Sequence, residues 1–193
     1  EIEQHSEALS RCIEFALQGT EEARTFTFVL RSSKSVPALA LMQIADRLAA
    51  AKINLKAVLA RVEPELELHA FFDALIQLSP GCELSDLVRW AKNPRLIDAH
   101  EQAVYGPKLC WTGDAIRRDA DKLNRLTQFE TSTDAVLRGT HAFRALWASS
   151  EVLPANLLDA RNGGMGDATA AIAKDAPPAA LKRPAEGWPL LRH

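Results

Sequence analysis

The stretch "TFTFVLRSSKSVPALALMQIADRLAAAKINLKAVLARV", from Thr25 to Val62, decides the fold class. It begins with "TFTFVLR", β-branched and aromatic, which reads as a strand. Phe26, Phe28, Val29 and Leu30 make that run too apolar for a sheet with one wet face, so the strand is expected to be covered on both sides. Ser35 then stands as an N-cap, with Pro37 in the first helical turn, where its missing N–H costs nothing. Leu41, Ile44 and Leu48 share one helical face. "INLKAVLARV" (Ile53 to Val62) is the second strand. Strand, helix and strand in about 40 residues form a βαβ crossover, and so a parallel pair covered by helices.

Working outward, "SEALSRCIEFALQG" has helical spacing at Leu9, Cys12, Ile13, Ala16 and Leu17, closed by Gly19. "PELELHAFFDALIQLSP" reads as a helix ended by Pro80 and Gly81. "SDLVRWAK" reads as a short strand. "RLIDAHEQAVYGPKLCWTG" reads as a hairpin around a Tyr-Gly-Pro-Lys turn. "DAIRRDADKLNRLTQFE" reads as a charged helix with Ile116, Leu123 and Leu126 inward. "TSTDAVLRGTHAFRALWASS" is a further helix, interrupted or kinked near Gly139. The expected class is α/β, with a mixed, mostly parallel sheet and helices on both faces. Residues 1–158 form one domain. Residues 159–193, rich in Gly, Ala and Pro, are expected to be a poorly ordered tail.

The chain has 193 residues, 47% apolar and 25% charged, with a net charge of -2. That profile suits a soluble globular domain and excludes a protein built to coat nucleic acid or acidic membranes. Residues 87–125 carry 8 basic and 5 acidic side chains, against 8 and 13 in residues 1–86. The middle segment is thus locally positive, as an anion site or a mixed solvated surface would be. Cys12, Cys82 and Cys110 are too few and too scattered for a disulfide framework or a zinc site. They read as buried free thiols in a reducing, cytoplasmic compartment. No apolar run reaches membrane-spanning length. The first residue is Glu1 and not Met, which leaves room for an upstream segment.

Generic catalytic motifs are lacking. "RNGGMG" is neither preceded by a strand nor followed by a helix, so it is no phosphate loop. No serine sits in a nucleophile elbow. His5, His69, His141 and His193 stand isolated, and Trp90, Trp111 and Trp147 read as core aromatics. His100 differs. It lies on a strand with Gln102 on the same face. The hairpin returns through "LCWTGD", placing Gly113 and Asp114 where a helix is expected to begin and where free N–H groups could meet a phosphate.

These residues carry a resemblance. "HEQAVYGP", "LCWTGD" and "RRDADKLNR" are similar in order and spacing to the phospholipase D superfamily signature, H-x-K-x(4)-D, then Gly-Ser and a nearby Asn, then a helix with another Asn. The upstream helix, strand, long helix and strand also follow the order in which such a domain opens, so the resemblance spans Ser6 to Trp147. It implies that His100 is the nucleophile, that Gln102 stands at the phosphate-binding lysine and Pro107 at the aspartate, and that Asp114 replaces the serine beside Gly113. Ile116 stands at the nearby Asn, and Asn124 retains the later one. Arg117 or Arg118 could replace the lost cation. Asp114 either caps the helix or pairs with His100. The candidate site is therefore His100 as nucleophile, with Gln102, Gly113, Asp114, Arg117, Arg118 and Asn124 as binding residues, and with no metal or cofactor. The resemblance implies a degenerate, non-catalytic domain that binds an anionic ligand or another protein. Its alternative is a phosphodiesterase or nuclease that uses His100 in a homodimer, since the family joins two motifs across a dyad. Either reading allows a phosphate-containing ligand; nucleic acid is not specifically indicated.

Overall fold

A computed structural model describes residues 1–19, 21–63, 66–93, 99–116, 128–154 and 157. The chain opens with α1 (Ile2–Leu17), a 3-10 turn (Glu21–Arg24) and β1 (Thr25–Leu30). The first crossover holds α2 (Val36–Gln43) and α3 (Ala45–Ala50) and leads to β2 (Asn54–Leu59). The next holds α4 (Leu66–Leu78) and α5 (Leu84–Leu87) and leads to β3 (Val88–Trp90). Then come β4 (His100–Tyr105), β5 (Leu109–Ala115), β6 (Gln128–Glu130), α6 (Thr133–Ser149) and β7 (Glu151–Val152).

The seven strands form one mixed sheet in the order β6-β5-β4-β1-β2-β3-β7. The class is α/β, but the expected mostly parallel sheet is corrected. Only β1–β2 and β2–β3 are parallel, while β1–β4, β4–β5, β5–β6 and β3–β7 are antiparallel. The reason is the number of crossovers. Helices carry the chain over the sheet only twice before the hairpin β4–β5 enters beside β1, and a hairpin gives antiparallel neighbours. The segment read as a helix from Asp114 begins instead as strand: β5 runs through Ala115, and Gln128–Glu130 is β6.

Side-chain alternation on β1 explains why both faces are covered. Phe26, Phe28 and Leu30 enter the large core beneath α1 to α4, with Leu55, Ala57 and Leu59 of β2. Val29 and Val58 point the other way and pack with Phe143 of α6. Each fully buried side chain of this size contributes roughly 1.5–3 kcal/mol, so neither face could be left to water. His5, read as isolated, is buried, and its Nδ1 lies 2.7 Å from the Tyr105 hydroxyl, tying α1 to β4. Trp111 is buried, whereas Trp90 and Trp147 are only half-buried, Trp90 at the edge of the large core and Trp147 at the edge of the smaller one. Of the thiols only Cys110 is buried; Cys82 is exposed.

Two local expectations also change. The long helix after Ser35 is broken at Ile44, whose φ of -118° and ψ of 20° separate α2 from α3. Helix α6 runs unbroken through Gly139. There the glycine permits a close approach instead of a kink. A Cβ on Gly139 would lie 2.8 Å from Gln102 Nε2, 2.9 Å from Cys110 Sγ and 2.9 Å from Val104 Cγ2. Among the described residues no helix is long and apolar enough to cross a membrane.

Candidate functional site

Strand β1 ends where its two neighbours diverge: β2 reaches it through a helical crossover, and β4 runs back beside it, with Val29 opposite Gln102. Arg31, Ser35, His100, Glu101 and the last residues of β5 come together at this end of β1.

His100 opens β4 and is exposed. Its Nδ1 is 2.9 Å from the carbonyl oxygen of Gly113. A carbonyl can only accept, so Nδ1 carries a proton, and the tautomer this selects for a neutral ring has its lone pair on Nε2. Between His100 and Gln102 the pairing with β5 slips: their partners are Ala115 and Thr112, so two steps on β4 match three on β5. A bulge of this kind re-aims side chains at a strand end.

Gln102 does not face an open site. Its Nε2 donates to the carbonyl oxygen of Gly139 at 2.7 Å, holding β4 against α6. Gly113 is explained by packing. A Cβ there would meet the Trp111 indole, with Cζ2 at 2.8 Å, so the ring occupies the space that a side chain would take. Asp114 lies within β5 and is buried. It is therefore not a helix cap, and no helix N-terminus at Gly113–Asp114 offers its N–H groups to an anion. Pro107 lies in the hairpin turn between β4 and β5, and Ile116 is buried beside Val29. Arg117, Arg118 and Asn124 lie outside the described residues, as do residues 159–193.

Sequence reasoning missed the strongest polar cluster. Glu101, buried between the two residues it singled out, accepts from the Arg31 main-chain N–H at 2.9 Å and from the Ser35 hydroxyl at 2.5 Å, both through Oε1. The Arg31 guanidinium lies 3.7 Å from Glu101 Oε2. It also donates to the carbonyls of Ile116 and Ala115, each at 3.1 Å. Ser35 does begin α2, since its carbonyl accepts from Ala38 and Leu39, but its hydroxyl caps nothing and serves Glu101 instead. A signal was present: Arg31 ends an apolar strand and Glu101 begins one, and opposite charges at the ends of two buried strands need each other.

Electrostatically the cluster is closed. The charge of Arg31 is matched by Glu101, and its Nε and Nη2 donate to main-chain carbonyls. Among the described residues no group of three His, Cys, Asp or Glu side chains is placed to hold a metal ion. Among the described residues of this cluster, His100 is the exposed one. No family model, curated protein or solved structure matches the chain.

Proposed function

We propose that the chain is a phospholipase D-like domain that has lost phosphodiester hydrolysis and serves as a ligand-binding or protein-interaction module. One observation carries this reading. Gln102 stands where the resemblance puts the phosphate-binding lysine, and its amide is bonded to Gly139 of α6. The position is neutral and also turned to structural use. A phosphodiester transition state needs donors or cations aimed at its oxygens, and losing one costs about 3 kcal/mol, on the order of 100-fold in rate.

A second reading is favoured by one contact. The bond from His100 Nδ1 to the Gly113 carbonyl puts the lone pair of the neutral ring on Nε2, the form in which an imidazole attacks phosphorus. In that reading two copies bring their His100 side chains together as a phosphodiesterase or nuclease. Bis-p-nitrophenyl phosphate separates the two. The expected result is no turnover above background, with His100→Ala indistinguishable from the unaltered chain. Turnover that His100→Ala abolishes, with the circular dichroism spectrum unchanged, would replace the first reading by the second, and sedimentation would then have to show a dimer.

A further inference from the structure

The C-terminal part of α6 lies over β2 and β3, on the face of the sheet opposite the large core. Val58 of β2 faces α6, and strand alternation puts Lys56 on the same side. Arg89 of β3 pairs in register with Val58 and so shares that face. Trp147 of α6 packs on both cations. The Lys56 ammonium lies 5.1 Å from the centre of its ring and the Arg89 guanidinium 4.9 Å. Arg144, exposed, stands three residues before Trp147 and neighbours it on the helix surface. Positive charges gathered on one ring repel each other, and a partly exposed ring offsets little of that repulsion.

The elements that build this face bring cations and not carboxylates. Strands β1, β2 and β3 contain no acidic residue. Asp134 of α6 stands in its first turn, roughly three and a half turns before Trp147. Glu151 of β7 is in register with Trp90, so it leaves the sheet on the other side from Arg89, and it pairs with Lys92 at 3.9 Å. Arg89 itself shows how an anion would be held. Its Nη1 donates to the Trp147 carbonyl at 3.3 Å, which fixes the plane of the guanidinium. Its Nε is enclosed and, among the described residues, has no hydrogen-bond partner. A donor in that condition is costly, and an acceptor brought to it removes the cost. Nε and Nη2 together form a side-on edge that grips two oxygens of one anion. Adjacent cations favour a dianion over a monoanion, and a phosphate has oxygens enough for both.

We propose that this face binds a phosphate monoester. Two of its oxygens take the Nε–Nη2 edge of Arg89, which a small outward turn of the guanidinium opens. Another takes the Lys56 ammonium, which leaves the Trp147 ring to meet it. The site shares no residue with the His100 cluster and is independent of the phospholipase D-like reading.

The test titrates the full chain with phenyl phosphate, with the monoanion benzoate and with neutral phenol. Calorimetry gives the affinity. NMR follows the Trp147 indole N–H, identified by its loss in Trp147→Phe. Phenyl phosphate is expected to bind saturably and to shift that resonance, benzoate to bind at least about fivefold more weakly and phenol not at all. Lys56→Met keeps the stem and is expected to weaken phenyl phosphate about fivefold, the upper end for a partly exposed ion pair. Arg89→Lys keeps the charge but loses the fork, for an expected loss of about tenfold. Lys108→Met, which removes a cation seated on Phe15 of α1, should change nothing. Circular dichroism checks that each variant folds, and Lys56→Met decides the matter if Arg89→Lys does not. Equal affinity for phenyl phosphate and benzoate overturns the proposal, as does binding indifferent to Lys56→Met or binding that leaves the Trp147 resonance in place. Absence of saturable phenyl phosphate binding into the millimolar range overturns it too, whether the face stays open or another segment of this chain covers it.

Discussion

Gly139→Ala sets two opposed effects against each other inside α6. In a helix interior alanine is favoured over glycine by about 1 kcal/mol, so propensity alone makes the variant more stable. The structure says the reverse. The added methyl would lie within 3 Å of three atoms, Gln102 Nε2, Cys110 Sγ and Val104 Cγ2. Overpacking of this kind costs roughly 1–3 kcal/mol. Relief requires α6 to lift from β4 and β5, which stretches the 2.7 Å bond from Gln102 to the Gly139 carbonyl. A half-buried amide left without its acceptor costs about 1–3 kcal/mol more. Taking the middle of each range and subtracting the propensity gain leaves a loss of about 3 kcal/mol. For a chain of this length each kcal/mol moves Tm by about 2–4 °C, so the expected fall is on the order of 10 °C. Urea unfolding followed by tryptophan fluorescence measures the loss directly. Adding Gln102→Ala removes one of the three clashing atoms, so the double variant should lose less than the sum of the two single losses. A Gly139→Ala chain as stable as the parent would refute the reasoning: α6 would not then be seated on β4 at this distance.

Glu101→Gln keeps the shape of the buried cluster but leaves the Arg31 guanidinium without its counter-charge. Breaking a buried pair on one side costs about 3–5 kcal/mol, and a loss below about 1 kcal/mol in urea unfolding would mean that the main-chain acceptors alone hold Arg31. The pH dependence of stability should carry the mark of His5. Burial, and then the nearby N-terminal ammonium, lower its pKa from 6.5 to about 4. Between those values the unfolded chain takes up a proton that the folded chain refuses. Stability therefore falls as pH drops from 6.5 to 4, by up to about 3 kcal/mol, and His5 contributes no slope above that window. His5→Gln isolates the effect: the difference between the urea midpoints of parent and variant should shift across this window, and a constant difference would show that His5 is not held neutral.

Much of the first half of the fold is local in origin, and that is why it could be read. "TFTFVLR" and "INLKAVLARV" are apolar enough to require cover on both faces, and Ser35 with Pro37 marks the helix start between them. The direction of the rest of the sheet is not local. The Tyr-Gly-Pro-Lys turn announces a hairpin but not where it docks, and it is the pairing of Val29 with Gln102 that makes the sheet mostly antiparallel. "DAIRR" has helical spacing by itself, yet β5 continues through Asp114 and Ala115, and Ala115 finds its partner in His100. Gly139 illustrates a residue type with two readings. A glycine breaks a helix only where nothing repays its flexibility, and in α6 the repayment is close contact with β4 and β5. The candidate site was half legible for the same reason. His100 and Gly113 do meet. The bond that takes Gln102 out of the site crosses 37 residues and the Arg31–Glu101 bond crosses 70, and no local pattern encodes either.

On the proposed reading, the loss of hydrolysis is spread over several contacts and does not rest on one side chain, so no single reversion restores it. A lysine at position 102 would start from the same Cβ, under α6, where the Gly139 carbonyl now takes the Gln102 amide. It would replace one structural bond by another before it reached a phosphate. Gly113 is likewise committed, since its bare Cα seats the Trp111 indole and its carbonyl holds His100. Arg31 follows the end of β1, and releasing it would strand Glu101 in the interior. A cation for phosphate chemistry therefore has to come from outside this packed set, from Arg117, Arg118 or a second copy of the chain. An imidazole whose Nδ1 is committed to the Gly113 carbonyl, without such a cation beside it, has Nε2 left for a hydrogen bond, which is what a binding surface asks of it.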